Sequence, residues 1–134
     1  AGQLAWIVEK YSQWTDCERQ GVRHPENAIP RQELIDTVML YWLTNTAASA
    51  ARLYWESFRE PDVSPISLPS GISEFAEEIM RPPRHWCEHR FSNLVYFNDT
   101  IVDGGHFAAL EVPDTLTSEL RKWKHALHTN GIIE

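Results

Sequence analysis

Two kinds of side chain in the second half of this sequence could share acid–base chemistry. His106 stands in Asp103-Gly104-Gly105-His106-Phe107-Ala108-Ala109-Leu110-Glu111. Imidazole changes charge near neutral pH, and the two glycines remove side chains just before it and permit backbone angles that other residues resist. Earlier in the chain, Glu74, Glu77 and Glu78 supply carboxylates. A histidine base needs a carboxylate on its other ring nitrogen to fix the tautomer and steady the imidazolium. Spacing alone does not choose among the three, and each can equally be a solvated surface charge.

Other clusters are weaker. His85, Cys87 and His89 fall on the short segment Arg84 to Arg90, with the histidines at i and i+4, a spacing that can face a metal. No acidic residue completes a metal-binding frame there, so no metal is expected; a metal-dependent hydrolase built on His85 and His89 would hold one. His125 and His128 read as cations at the end of a helix, where the dipole favours positive charge.

The elements that must position His106 follow from its flanks. Leu94-Val95-Tyr96-Phe97 is uncharged, β-branched and aromatic, and reads as a strand. Pro113 to Trp123 reads as a helix opened by proline, so His106 lies on a strand-to-helix loop. Upstream, Leu4, Ile7, Val8, Tyr11 and Trp14 predict an amphipathic helix over about residues 3 to 14. Residues 15 to 30 form a polar loop marked by Gly21, Pro25 and Pro30. A second helix begins at Pro30, with Glu33 in its first turn and Leu34, Ile35, Val38, Met39 and Trp42 on one face. Thr44-Asn45-Thr46 interrupts it and offers an N-cap to a third helix, Ala47 to Phe58. Pro61 closes this helical section. Val63 to Leu68 is a short extended run and Pro69-Ser70-Gly71 a turn. The acid-rich segment Glu74 to Met80, the break at Pro82-Pro83 and a brief helix over Arg84 to Arg90 complete the series. Strand, acidic loop, helix, strand, His loop, helix is the alternation of an α/β domain with a parallel sheet. In such sheets ligands gather at the carboxyl ends of the strands.

The 134 residues suffice for one domain with a core. A net charge of −7 argues against nucleic acid as a partner. No stretch is long enough to span a membrane and no signal-peptide pattern opens the chain, while Cys17 and Cys87 lie too far apart in sequence to read as a paired motif. Together these predict a cytoplasmic protein with reduced thiols, the alternative being a membrane anchor upstream of this chain. The absence of an initial Met points to a start that is trimmed or lies within a longer reading frame.

Four stretches in order carry a family resemblance. They are Val38-Met39-Leu40-Tyr41-Trp42-Leu43-Thr44-Asn45-Thr46, Ala51-Arg52-Leu53-Tyr54-Trp55-Glu56, Pro69-Ser70-Gly71 and Gly104-Gly105-His106-Phe107-Ala108-Ala109-Leu110-Glu111-Val112-Pro113. They resemble the C-terminal part of α/β-hydrolase epoxide hydrolases, above all the microsomal and juvenile-hormone branch, and the likeness covers Leu4 to about Leu127. The implied fold is α/β, incomplete on its own: a portion of the helical lid over residues 1–60, then the last strands and helices of the parallel sheet over residues 61–134. The resemblance makes His106 the base that activates water to hydrolyse an ester intermediate. It makes Glu78 the charge-relay acid, with Glu77 the fallback if the register slips. Tyr54 matches one of two lid tyrosines that hold the epoxide oxygen and protonate the leaving alkoxide, which a phenol can do without being ionised itself. No cofactor and no metal is implied, and the substrate is a small apolar epoxide.

The family's nucleophilic Asp, its His-Gly-X-Pro oxyanion loop and the second lid tyrosine have no counterpart here. Asp16 and Asp36 lie in a loop and on a helix, without the small flanking residues that a nucleophile elbow needs. The expected function is therefore the C-terminal portion of an epoxide hydrolase, giving a vicinal diol through an Asp ester whose nucleophile lies outside this chain. The alternative is an inactive remnant serving as a binding or assembly module. Two strands leave open sheet edges, and six tryptophans add apolar surface. The expected partner is an N-terminal half of the enzyme, or another copy of the chain.

Overall fold

The computed structural model describes residues 1–59 and 62–134. They form two compact units, Ala1–Gln13 with Cys17–Val63, and Trp14–Asp16 with Ser64–Glu134. The lid boundary expected at residues 60 and 61, and Pro61 as the end of the helical section, lie outside the described residues.

The first unit is built from helices. In α1 (Gly2–Trp14, its last residue belonging to the second unit) Ile7 and Tyr11 are buried. Near its end the Ser12 carbonyl accepts from Cys17 Sγ at 3.2 Å and from Arg23 Nε at 3.1 Å. These donors satisfy a helix-end carbonyl that has no partner within the helix. The segment expected to be only a loop contains a small hairpin, β1 (Glu18–Arg19) against β2 (Val22–Arg23). Gln20 and Gly21 between them both have positive φ, 54° and 77°, the backbone that suits the twist of a two-residue hairpin. α2 (Arg31–Thr44) follows Pro30 and ends on Asn45, which takes the left-handed conformation common after a helix. α3 (Ala47–Ser57) buries none of its residues. Thr46 occupies its N-cap position without a capping bond from the side chain; the hydroxyl meets Thr44 Oγ1 at 2.8 Å instead.

In the second unit, β3 (Ser70–Ser73) pairs in parallel with β4 (Leu94–Asn98), and α4 (Arg84–Arg90) lies in the crossover between them. This is the predicted α/β arrangement, but its first strand is displaced. Val63 to Leu68 contributes one bridge, Ile66 to Phe91, while Ser70 and Gly71, expected in a turn, are paired with Leu94 and Tyr96. Pro65 and Pro69 have no N–H to give a ladder. Gly71 serves close approach rather than a turn, since a β-carbon there would stand 2.5 Å from the Trp123 ring. α5 (Ala108–Glu111) precedes α6 (Pro113–Thr129), which runs past Trp123 by more than a turn.

The buried cluster Phe75, Ile101 and Ala108, extended by Val112 and Leu116, follows the carboxyl ends of both strands. Glu119 of α6 fastens those ends. Its Oε2 accepts from Ser73 Oγ (3.1 Å), Tyr96 Oη (2.7 Å) and Asn98 Nδ2 (2.9 Å), and Lys122 Nζ lies 2.6 Å from Oε1. Burial pushes this carboxyl up, but Lys122, Asn98, Tyr96 and Ser73 outweigh it and hold the pKa at about 2. Burial and the adjacent Glu119 push the Tyr96 phenol up to about 12. No helix among the described residues is long and apolar enough to cross a membrane.

Candidate active site

His106 and Glu78 meet across 28 residues of sequence. Nδ1 of His106 lies 2.7 Å from Oε1 of Glu78. An ionised carboxylate only accepts, so the bridging proton sits on Nδ1 and Nε2 is left free to take another. The acid segment leaves β3 and the histidine loop leaves β4. The Glu74 N–H donates to the Asn98 carbonyl (2.8 Å) and the Glu77 N–H to the Gly104 carbonyl (2.9 Å), so the two exits run side by side.

The three carboxylates named from the sequence separate clearly. Of the three, only Glu78 is hydrogen-bonded to the His106 ring among the described residues. Glu77 is exposed, and its main chain carries the contact to the histidine loop. Glu74 is buried, with Arg81 Nε 3.9 Å from Oε2, and burial pushes its carboxyl up against the pull of Arg81.

The histidine loop is held on its other side by Trp14–Asp16. The His106 N–H donates to the Trp14 carbonyl (2.8 Å), and the Gly104 N–H to Asp16 Oδ2 (3.3 Å). The Asp16 N–H donates to Glu111 Oε2 (2.7 Å), and the Phe107 N–H to Glu111 Oε1 (2.9 Å). Gly105 passes between two backbones: a β-carbon there would stand 2.7 Å from the Trp14 oxygen and 3.1 Å from that of Glu77. The Trp14 ring meets the imidazole edge-on with centroids 5.3 Å apart, and Phe107 does so at 5.2 Å.

Sequence reasoning missed Trp14, Asp16 and Glu111 as parts of this site. Glu111 could have been read from its place one helical turn beyond Phe107, the residue after the histidine. Nothing local marks Asp16, whose partners lie 88 and 95 residues away.

About 500 Å³ of space opens beside His106 and Glu78, walled by Phe75, Phe107, Ala108 and Leu116 among others. A hydrogen-bonded imidazole and carboxylate thus stand at the edge of an apolar hollow, an arrangement with the chemistry to move a proton at a bound apolar molecule. A larger cavity of about 710 Å³, in the first unit along α1 and α2, is lined mainly by aliphatic side chains such as Leu4, Val8 and Val38. Its arginines are engaged, Arg31 with Glu26 and Arg23 with Glu18.

Tyr54 belongs to the first unit, on α3. Its ring meets Trp6 edge-on and stacks on Phe58, both at 5.9 Å, and the residue is 45% exposed. Its hydroxyl makes no hydrogen bond among the described residues.

No protein-family model matches the chain. A Stigmatella aurantiaca protein that carries the epoxide hydrolase name provisionally is 44% identical over 91% of the chain, which spans 27% of that protein. Epoxide hydrolase 1 of Sus scrofa is 31% identical over 91% of the chain, which is 28% of its length. The crystal structure of juvenile hormone epoxide hydrolase from the silkworm Bombyx mori superposes with a TM-score of 0.83 at 28% identity, covering 97% of this chain and 32% of that one. The chain thus spans less than a third of the length of the relatives it matches. In sequence and in fold it is related to the α/β-hydrolase epoxide hydrolases and corresponds to their C-terminal part.

Proposed function

We propose that this chain supplies the base, its orienting acid and a proton donor to an epoxide hydrolase whose nucleophile lies in chain outside these residues. The observation that carries the reading is the 2.7 Å contact between His106 Nδ1 and Glu78 Oε1, on loops that leave two parallel strands.

The chemistry balances as follows. An Asp carboxylate attacks one epoxide carbon, the C–O bond breaks, and the Tyr54 phenol gives its proton to the alkoxide oxygen. His106 Nε2 then takes a proton from water, and the hydroxide attacks the carbonyl of the Asp ester. The ester C–O bond breaks, the proton of the attacking hydroxyl passes to the departing alkoxide, the carboxylate is regenerated and a vicinal diol leaves. The proton held on His106 Nε2 then returns through solvent to the Tyr54 phenolate, restoring both groups. Glu78 keeps the proton on Nδ1 and offsets the charge of the imidazolium.

The lid and core roles of residues 1–60 and 61–134 belong to the same reading. So does a structural partner. A parallel sheet is normally covered on both faces and flanked by further strands, whereas β3 and β4 are the only two strands of theirs among the described residues. The N-terminal half of the enzyme supplies what is missing, and self-association covers the same surface when that half is absent. Cys17 and Cys87 are buried and unbridged, which suits a cytoplasmic setting.

The test joins this chain to the preceding portion of the Bombyx mori relative and follows diol formation from styrene oxide and from a bulkier epoxide. Diol formation that is lost with His106→Ala and reduced with Tyr54→Phe supports the reading. Diol formation indifferent to both substitutions removes it.

A further inference from the structure

We propose that Glu111 is a positioning residue for His106: its carboxylate clamps the Phe107 and Asp16 amides and so holds the imidazole against Glu78. The inference rests on the reading of His106 as the base. The loop carrying His106 has little of its own to hold it, with glycine at two of the four positions from Gly104 to Phe107. Three amides in that span are nevertheless engaged. Gly104 donates to Asp16 Oδ2, His106 to the Trp14 carbonyl and Phe107 to Glu111 Oε1.

Two of these bonds depend on Glu111. It receives the Phe107 amide directly. Through the Asp16 N–H (2.7 Å) it also fixes the residue whose carboxylate receives Gly104. The Gly104 carbonyl in turn receives the Glu77 N–H, one residue before the acid. A continuous set of bonds therefore runs from Glu111 through both sides of the histidine loop to the backbone beside Glu78. Releasing it frees the two ends of a 2.7 Å contact to move apart.

A surface ion pair does not explain Glu111, since no Lys or Arg pairs with it among the described residues. Burial and the nearby Asp16 charge push its carboxyl up, against the pull of the Asp16, Phe107 and Gly105 amides. The side chain keeps an unfavourable site and spends its acceptors on backbone N–H groups.

The experiment needs no turnover. This chain joined to the preceding portion of the Bombyx mori relative, with its histidines labelled with ¹⁵N, is compared with the same protein carrying Glu111→Gln, which keeps the volume but turns an amide –NH2 toward an N–H. In the parent, the His106 nitrogens report a proton on Nδ1 and a free Nε2. In Glu111→Gln the proton moves to Nε2, the commoner tautomer of an unheld imidazole. The Asp16 and Phe107 amides exchange with solvent about tenfold faster, the loss of one hydrogen bond to a charged acceptor. Amides of α6 keep their protection. Glu111→Asp retains the charge but lacks the reach to both amides, and gives the same result. An unchanged tautomer in both variants overturns the proposal, as does exchange that quickens equally throughout α6, which marks a general stabiliser. Loss of the base assignment reads out differently, as full diol formation by His106→Ala while Glu111→Gln, which keeps the histidine, still shifts the His106 tautomer.

Discussion

Gly105 and Trp14 are fitted to each other without room for a side chain. A β-carbon on Gly105 would stand 2.7 Å from the Trp14 carbonyl oxygen, the oxygen of the residue that receives the His106 N–H. Backbone cannot swing aside as a flexible side chain can. Gly105→Ala is therefore expected to cost on the order of 2 kcal/mol through overpacking, and to displace His106. A urea denaturation series of the two proteins checks it; an unchanged midpoint contradicts the fit.

The relationship between Glu78 and Glu77 yields a second prediction. Only the Glu78 carboxylate is hydrogen-bonded to the imidazole among the described residues, at 2.7 Å. In the joined enzyme, Glu78→Ala is expected to lower turnover by ~10²-fold or more, the scale of a misdirected general base. Glu77→Gln, a change at an exposed side chain, stays within about twofold of the parent. Equal effects at the two positions would mean that the register of the acid segment differs from the one described.

How legible was this site in the sequence? The histidine loop was, because its glycines, its strand and its helix are contiguous. The acid was narrowed to three residues by order and to Glu78 by family resemblance, and the contact at 2.7 Å involves that residue. The grip of Trp14–Asp16 was not legible, because its bonds span 88 and 95 residues and a lone aspartate in a loop announces nothing. The strand at Ser70–Ser73 was misplaced for a different reason. Pro-Ser-Gly is turn chemistry locally, and the tertiary demand of the Trp123 ring at Gly71 overrides it. The hairpin around Gln20 and Gly21 escaped notice because its strands are two residues long and carry no apolar alternation.

Glu119 predicts an acid sensitivity. Its folded pKa of about 2 lies below the ordinary carboxylate value of 4.5. A depressed carboxylate pKa contributes stability above the unfolded value, and that contribution is lost as pH falls through the folded one. The affected window runs from pH 4.5 down to about 2. The contribution is on the order of 3 kcal/mol. Glu119→Gln removes the pH dependence in that window and lowers stability at neutral pH, read from unfolding midpoints at several pH values. Parallel pH profiles for parent and variant would contradict the assignment.

The apolar exterior of the first unit predicts association. Trp55 and Phe58 are 66% and 74% exposed, with Leu43 at 75%. Exposed aromatic and aliphatic groups in such number mark a surface made to be covered. Sedimentation of the isolated chain is expected to show concentration-dependent mass, and addition of the preceding portion of the enzyme to suppress it. A chain that stays monomeric and unfolds cooperatively at high temperature would count against this.

The most direct measurement concerns the ester. The joined enzyme carrying His106→Ala is mixed with styrene oxide and its intact mass recorded. If His106 activates the water, the nucleophile still opens the epoxide but the ester is not hydrolysed, so the protein gains the mass of one substrate while diol release falls by ~10³-fold. Diol released at the parent rate, with no mass gained, would contradict the assignment of His106 as the base.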